Sequence, residues 1–340
     1  MSRFRVLTEI QTEVSVSASE FTDSVILITG ATGSLGRRFI ERALNELGPR
    51  SVIVYSRDEL KQFELRQHFG HDPRLRWVIG DIRDRERLCQ TMHGVDFVVH
   101  AAALKQVDTA EMNAFEYVRT NVIGSQNVID AAVAAGVRKV VALSTDKASS
   151  PVNLYGASKL CADKLFTSAN LDPHNQGTAF CVVRYGNVLG SRGSVVPFFR
   201  RLAAEGQSLP ITDKRMTRFW ITLDQAVDFI VDSFALMQGS ELFVPRIPSM
   251  RVVDLVEAVA PGAPTHEVGL RPGEKLHEEM ISTVDAVRTF QRGERYVMLP
   301  QCGVRDEDLT GAGRLPDGFC YRSDTNEQWL SVEEIQRLIA

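Results

Sequence analysis

The chain has 340 residues, 44% hydrophobic and 24% charged, a globular balance with room for one large domain or for a large and a small one sharing a cleft. Its formal net charge of −4 excludes a broad basic face for nucleic acid or an anionic membrane surface. No run approaches the ~20 apolar residues that cross a bilayer.

Residues 1–23 are polar and of mixed charge, without the apolar centre of a signal peptide, so they read as a loosely held extension of a cytoplasmic protein. The five cysteines (Cys89, Cys161, Cys181, Cys302, Cys320) are scattered with no CxxC, which reads as reduced thiols with neither disulfides nor a metal site. From residue 24 the pattern alternates. The apolar run 25–29 is a buried parallel strand, followed by a glycine-rich turn and a helix over 35–47. Strands at 51–55, 75–79, 97–100, 139–143 and 179–184 alternate with helices at 60–69, 85–92, 114–135 and 154–169. This is an α/β pattern: a Rossmann-type doubly wound parallel sheet over residues 24–187. Beyond 187 the pattern loosens, and residues 188–340 are expected to form a smaller C-terminal substrate-binding lobe that exchanges segments with the first.

The first strand ends in Thr29-Gly30-Ala31-Thr32-Gly33-Ser34-Leu35-Gly36, a GxxGxxG loop between strand and helix. Gly30 permits the sharp turn, Gly33 lets backbone N–H groups approach a pyrophosphate, and Gly36 lets the helix pack on the strand. The dinucleotide set is therefore Gly30, Gly33, Ser34, Leu35 and Gly36. The second strand ends Tyr55-Ser56-Arg57, with Lys61 a turn later. Ser56, Arg57 and Lys61 suit the 2′-phosphate of NADP, where an NAD site would carry an acidic residue. Asp58 keeps open a plainer reading, in which the two cations solvate a surface helix. Asp81 and Ile82 after the third strand are expected at the adenine, and Ala101 and its neighbours after the fourth leave room for a flat ring.

Tyr155 and Lys159 stand four apart on one helix face, the YxxxK pair of the short-chain dehydrogenase superfamily, which the sequence resembles. In this reading Lys159 lowers the tyrosine pKa and Tyr155 accepts a hydroxyl proton as hydride leaves carbon. The fifth strand runs into Leu143-Ser144-Thr145-Asp146-Lys147. A simple dehydrogenase needs only the hydroxyl here. Elimination of water needs a base and an acid besides, and a desolvated Lys147 with a lowered pKa beside Asp146 supplies them. A structural Asp–Lys ion pair fits the same residues equally well.

Longer blocks carry a more specific resemblance. They include residues 55–62, 101–105, 143–147, 153–164, 184–188, 190–199, 215–222 and 271–278. From residue 24 onward the chain resembles the inverting UDP-N-acetylglucosamine 4,6-dehydratases of pseudaminic acid biosynthesis. The resemblance implies that Asp146 protonates the leaving 6-hydroxyl and Lys147 is the base at carbon 5. It implies hydride-step roles for Tyr155, Lys159 and Thr145. It puts Lys105 near both cofactor and substrate, and Leu143, Ser144, Asn187, Val188 and Glu274 beside the sugar nucleotide. Arg192, Arg218 and Arg271 become candidates for the UDP end, against ordinary solvated or ion-paired arginines. It also implies UDP-N-acetylglucosamine as the substrate and a homo-oligomer, hexameric or dimer-based. Two departures stand out: Ala31 where relatives commonly carry glycine, and a longer N-terminal extension. Tyr155 argues against a sister family with added 3-epimerase activity, which lacks that tyrosine. A configuration-retaining dehydratase, a 4-epimerase and a non-catalytic NADP-binding protein remain the alternatives.

Overall fold

Runs of apolar residues without polar alternation form strands that are covered on both faces, and the centre of this molecule is built from them. The computed structural model describes residues 19–191, 194–300 and 313–339. Residues 1–18 of the extension, Cys302 and Arg192 lie outside the described residues.

The first half forms β1 (Val25–Thr29), β2 (Ser51–Ser56), β3 (Leu75–Ile79), β4 (Phe97–His100), β5 (Lys139–Leu143) and β6 (Ala179–Val183). The helices between them are α1 (Ser34–Arg42), α2 (Glu59–Phe69), α3 (Arg85–Met92), α4 (Val107–Met112), α5 (Ala114–Tyr117), α6 (Gly124–Ala135) and α7 (Leu154–Ser168). All neighbouring pairs in the order β3-β2-β1-β4-β5-β6 are parallel. The order reverses between β1 and β4, and at such a switch point a cleft opens over the carboxyl ends of the strands.

The second half forms β7 (Asn187–Val188), α8 (Val195–Ala204), β8 (Leu209–Ile211), β9 (Thr217–Ile221), α9 (Leu223–Leu236), β10 (Leu242–Pro245), β11 (Ser249–Arg251) and α10 (Val252–Val259). After these come β12 (Thr265–Glu267), β13 (Glu279–Ile281), α11 (Thr283–Ala286), β14 (Thr289–Arg292), β15 (Arg295–Met298), β16 (Gly313–Arg314), β17 (Tyr321–Arg322) and α12 (Val332–Ile339). β10 pairs parallel with β6, and β15, β14 and β16 extend the large sheet antiparallel. The small sheet β11-β9-β7, together with α8, α10 and α12, encloses a second apolar cluster around Phe199, Trp220, Met250 and Leu255. Among the described residues no helix is long and apolar enough to cross a membrane.

Two predicted helices differ: that over 35–47 is α-helical to Arg42 and closes in a π-helical turn, Ala43–Leu47, and the second departs further. Residues 114–135 are not a single α-helix: the chain passes from α5 through a π-helical turn, Val118–Ile123, into α6. A Cβ on Gly124 would meet Ile82 Cδ1 at 2.8 Å, so the helix packs close there. The wide turn also carries Asn121 inward. Its Oδ1 accepts from Leu104 N at 2.8 Å, and its Nδ2 donates to Leu104 O at 2.9 Å and to Ser158 Oγ at 3.0 Å. A π-bulge at this point thus fixes the loop after β4 against α7.

Candidate active site

A cavity of about 760 Å³ lies over the carboxyl ends of β1, β2, β4 and β5. Gly30, Gly33, Ser34, Leu35 and Gly36 form one wall. Gly30 sits at φ +67°, and a Cβ there would lie 2.7 Å from Ala102 N, so neither the backbone nor the space admits a side chain. A Cβ on Gly36 would meet Ala31 Cα at 2.6 Å, which is what lets α1 lie against the strand end. Gly33 caps α1 without a side chain, leaving the positive end of the helix turned to the cavity. Below the loop, His100 Nδ1 meets Thr29 Oγ1 at 2.8 Å, and burial pushes the imidazole down to about 3, so it is neutral.

Ser56, Arg57 and Lys61 line the far end. Ser56 Oγ lies 3.0 Å from Thr32 Oγ1, Arg57 reaches Asp81 at 3.5 Å, and Lys61 pairs with Asp58 at 2.7 Å. Both cations are about half exposed, so these pairs are weak and exchangeable. Ile82 and Ala101 are on the wall. Asp81, expected at the adenine, is not: its carboxylate is chelated by Arg83 Nε and Nη2 at 2.9 and 2.7 Å. The residues present nevertheless fit a dinucleotide, with a glycine cradle at a helix N-terminus and, at the β2 end, a hydroxyl and two cations.

The turn after β5 brings the reacting groups together. Ser144 N donates to Val183 O at 2.7 Å and Asp146 N to Tyr185 O at 3.1 Å, tying the turn to β6 and its extension. Ser144 Oγ also donates to Asp163 Oδ2 at 2.8 Å, and the buried Arg184 holds the same oxygen at 3.0 Å. Asn153 caps α7 through Gly156 N at 2.7 Å. A Cβ on Gly156 would stand 2.2 Å from Lys147 O, so only glycine lets α7 approach this turn. Tyr155 is thereby set beside Thr145, whose side chain it hydrogen-bonds. Leu143, Ser144, Thr145, Lys147, Tyr155, Lys159, Lys105, Asn187, Val188 and Glu274 all line the same cavity.

Three expectations about this cluster are corrected. Lys159 was expected to lower the Tyr155 pKa, but its Nζ donates to Leu143 O at 2.7 Å, and burial pushes the phenol up to about 12 against the partial opposition of Lys147 and Thr145. Lys147 was expected to have a lowered pKa. Burial does press it down, but its Nζ lies 3.0 Å from Asp146 Oδ1 and 3.3 Å from Glu278 Oε1, and the two carboxylates hold the ammonium well above its ordinary value. Arg218 was expected at the UDP end. It is buried, donates to the carbonyls of Thr217, Leu276 and Lys275 at 2.7–3.1 Å, lies 3.7 Å from Glu278, and has no face on the cavity. Arg271 is half exposed, 3.5 Å from Asp108, and off the wall.

Asp146 is fully buried and also off the wall. Its links to the cavity are Thr145 Oγ1 and Lys147 Nζ, both at 3.0 Å. Burial raises its pKa, with Glu278 adding to the effect and Lys147 and Thr145 opposing it. Sequence reasoning gave no role to Glu278, although it closes the 271–278 block, because nothing in the sequence brings that segment to the β5 turn. Asn121 and Asp163 were missed for the same reason.

Known proteins resemble this chain in sequence and in fold. Residues 26–300 match the family model described as polysaccharide biosynthesis protein. The UDP-N-acetylglucosamine 4,6-dehydratase (inverting) of Campylobacter jejuni is 50% identical over 94% of this chain and 98% of its own length. Relatives named UDP-glucose 4-epimerase follow at 36–38%. Among solved structures, Pen from Bacillus thuringiensis superposes with a TM-score of 0.86 at 39% identity, covering 94% of this chain and 98% of that one. DesIV, a dTDP-glucose 4,6-dehydratase from Streptomyces venezuelae solved with NAD and TYD bound, gives 0.67 at 27% identity, covering 74% and 86%. The chain belongs to the polysaccharide biosynthesis protein family and, within it, to the inverting UDP-N-acetylglucosamine 4,6-dehydratases.

Proposed function

We propose that this chain uses NADP to convert UDP-N-acetylglucosamine into UDP-2-acetamido-2,6-dideoxy-β-L-arabino-hex-4-ulose, inverting carbon 5, as a first step towards pseudaminic acid. The observation that carries the proposal is Lys147 set beside the Tyr155–Lys159 pair on one cavity wall, with the buried Asp146 3.0 Å behind it. A nicotinamide dinucleotide fits the cradle of Gly30, Gly33, Ser34, Leu35 and Gly36, and Ser56, Arg57 and Lys61 support the 2′-phosphate form. When bound it supplies reversible hydride transfer, so the net reaction needs no outside oxidant.

The residues supply the proton chemistry. Tyr155, which must first lose to solvent in the cavity the phenolic proton that burial holds on it, takes the 4-hydroxyl proton as carbon 4 is oxidised, and the resulting ketone acidifies the hydrogen on carbon 5. Lys147 takes that proton, for which it must first shed one of its own to solvent in the cavity, because the flanking carboxylates hold it as an ammonium. Asp146 holds the proton that leaves with the 6-hydroxyl as water, and Thr145 Oγ, 3.0 Å away, connects it to the cavity. Asn187 Oδ1, 3.5 Å from Lys147 Nζ, steadies the amine. Lys105 and Glu274 complete the wall on the sugar side, and Arg192 and Arg271 remain candidates for the diphosphate. Exposed Met112, Phe115 and Ile123 on the α4–α6 face support assembly as a homo-oligomer.

A 4-epimerase on this scaffold needs the Tyr155–Lys159 pair alone, and the named epimerase relatives make that the second reading. Mass spectrometry separates the two. Incubation with UDP-N-acetylglucosamine should give a product lighter by one water, and NMR of material made in deuterated water should place deuterium at carbon 5 with inverted configuration. A product of unchanged mass would replace this reading with epimerisation.

A further inference from the structure

Lys147 is the single ammonium between two carboxylates that are both out of solvent, Asp146 at 0% and Glu278 at 2% exposure. Each touches Lys147 with one oxygen. The second oxygen of each, Asp146 Oδ2 and Glu278 Oε2, has no hydrogen-bond partner among the described residues. Two carboxylates sharing one cation in a dry site do not both ionise readily, so one of them keeps a proton.

The surroundings decide which. Glu278 is clamped from both sides: its N–H donates to Ser323 Oγ at 2.9 Å, its carbonyl accepts from Ser323 N at 2.9 Å, and Ser323 Oγ is 2.7 Å from Thr217 Oγ1. Arg218 from β9 stands 3.7 Å from Glu278 Oε1, giving it a second cation. Lys275, three residues earlier in the same segment, adds positive charge from that side. Facing Asp146 are Lys147, the Thr145 hydroxyl, Tyr155 from α7, Glu278 itself and, farther off, Lys275, so among the described residues the only cation paired with it is the shared one.

We infer that Glu278 is a positioning residue for the elimination: it is the resident counter-ion of Lys147, and by occupying that place it leaves Asp146 as the neutral acid whose proton departs with the 6-hydroxyl. The inference rests on the dehydratase reading above. In the step itself Lys147 first gives one ammonium proton to solvent in the cavity, and the carbon 5–hydrogen bond then breaks with its proton going to the amine. The carbon 6–oxygen bond then breaks, and hydroxyl plus the Asp146 proton leave as water. No external acid or oxidant enters.

Glu278→Gln removes the charge and keeps the shape. Asp146 then becomes the only counter-ion of Lys147 and ionises, so the acid is lost. The base is not lost, because one of the two groups holding Lys147 as an ammonium has gone. The two half-steps should therefore separate. At pH 8 formation of the product lighter by 18 should fall about 10- to 100-fold, within the range of a lost general acid, and the deficit should shrink towards pH 6 as Asp146 is reprotonated. Exchange of carbon 5 in deuterated water, read in recovered UDP-N-acetylglucosamine, should not fall. Glu278→Asp, which keeps a carboxylate, should restore most of the product formation at pH 8. A structural role would slow both half-steps by one factor at every pH, and that result overturns the inference, as does product formation by Glu278→Gln at the wild-type rate. Wild-type protein that forms no dehydrated product would instead sink the dehydratase reading, and this is seen before any variant is compared.

Discussion

Removing the Lys147 amine tests the elimination machinery most directly. In Lys147→Ala, Asp146 Oδ1 and Glu278 Oε1 lose the cation that stood 3.0 and 3.3 Å away, and both are left in a dry site. Deleting one partner of a buried pair costs about 3–5 kcal/mol when the survivor stays charged. Protonation limits that cost, and the sign follows from the direction of the shift. Burial holds Asp146 above its ordinary pKa of 3.8, so its stabilising share is full below that value and is lost as pH rises through the raised one. Without Lys147 the effect grows, and the variant should lose more of its melting temperature at pH 8 than at pH 6. Carbon 4 oxidation should persist, because Tyr155 and Lys159 are untouched, while exchange at carbon 5 should drop about 10²–10⁴-fold for a missing general base. The assay is deuterium incorporation at carbon 5 of recovered substrate, with circular dichroism confirming the fold. Exchange at the wild-type rate would show that Lys147 is not the base and reduce it to an ion-pair partner.

Arg57→Ala should weaken NADP binding by about 1.5–3 kcal/mol, the range for one lost charged hydrogen-bond set, and leave NAD binding nearly unchanged. Equal wild-type affinity for the two dinucleotides, measured by calorimetry, would contradict the 2′-phosphate assignment. Tyr155→Phe should abolish the transient absorbance at 340 nm that reports carbon 4 oxidation on mixing with substrate, and a normal transient would exclude Tyr155 as the proton acceptor.

What the sequence discloses and what it withholds divide along range in the chain. The largely apolar strands 25–29, 97–100 and 139–143 and the helix 85–92 are read correctly to the residue, because each declares itself within a short window. The glycine turn and the Tyr155–Lys159 face are equally local. The helix at 114–135 is misread at its start because the π turn depends on a packing partner, Ile82, far away in sequence. The reading of the Lys147 charge fails for the same reason. Its neighbour Asp146 is visible in the sequence, but Glu278 reaches it only once β9 and the segment before β13 have folded against the turn. Arg218 looks like a phosphate ligand from its block and is instead spent on three carbonyls that only the tertiary fold brings within reach.

The energetics of that turn also bear on the choice between elimination and epimerisation. A buried Asp–Lys–Glu cluster is an unfavourable way to fill space, since well-packed apolar residues of similar volume are often as stable or better by 1–4 kcal/mol. Here two carboxylate oxygens lack hydrogen-bond partners among the described residues, so the cluster is not even fully satisfied. Oxidising and reducing carbon 4 from either face uses Tyr155, Lys159 and the dinucleotide cradle and draws nothing from the cluster. Elimination draws on all of it. It needs a nitrogen that can take a proton from carbon 5, a carboxyl that still holds one at neutral pH, and both within one hydrogen bond of the cavity. Lys147 lies on the cavity wall, and Asp146 lies 3.0 Å behind it with its pKa raised by burial. The same dryness that makes the cluster costly to fold also raises the Asp146 pKa, and that ties the penalty to dehydration chemistry and leaves epimerisation with no use for it.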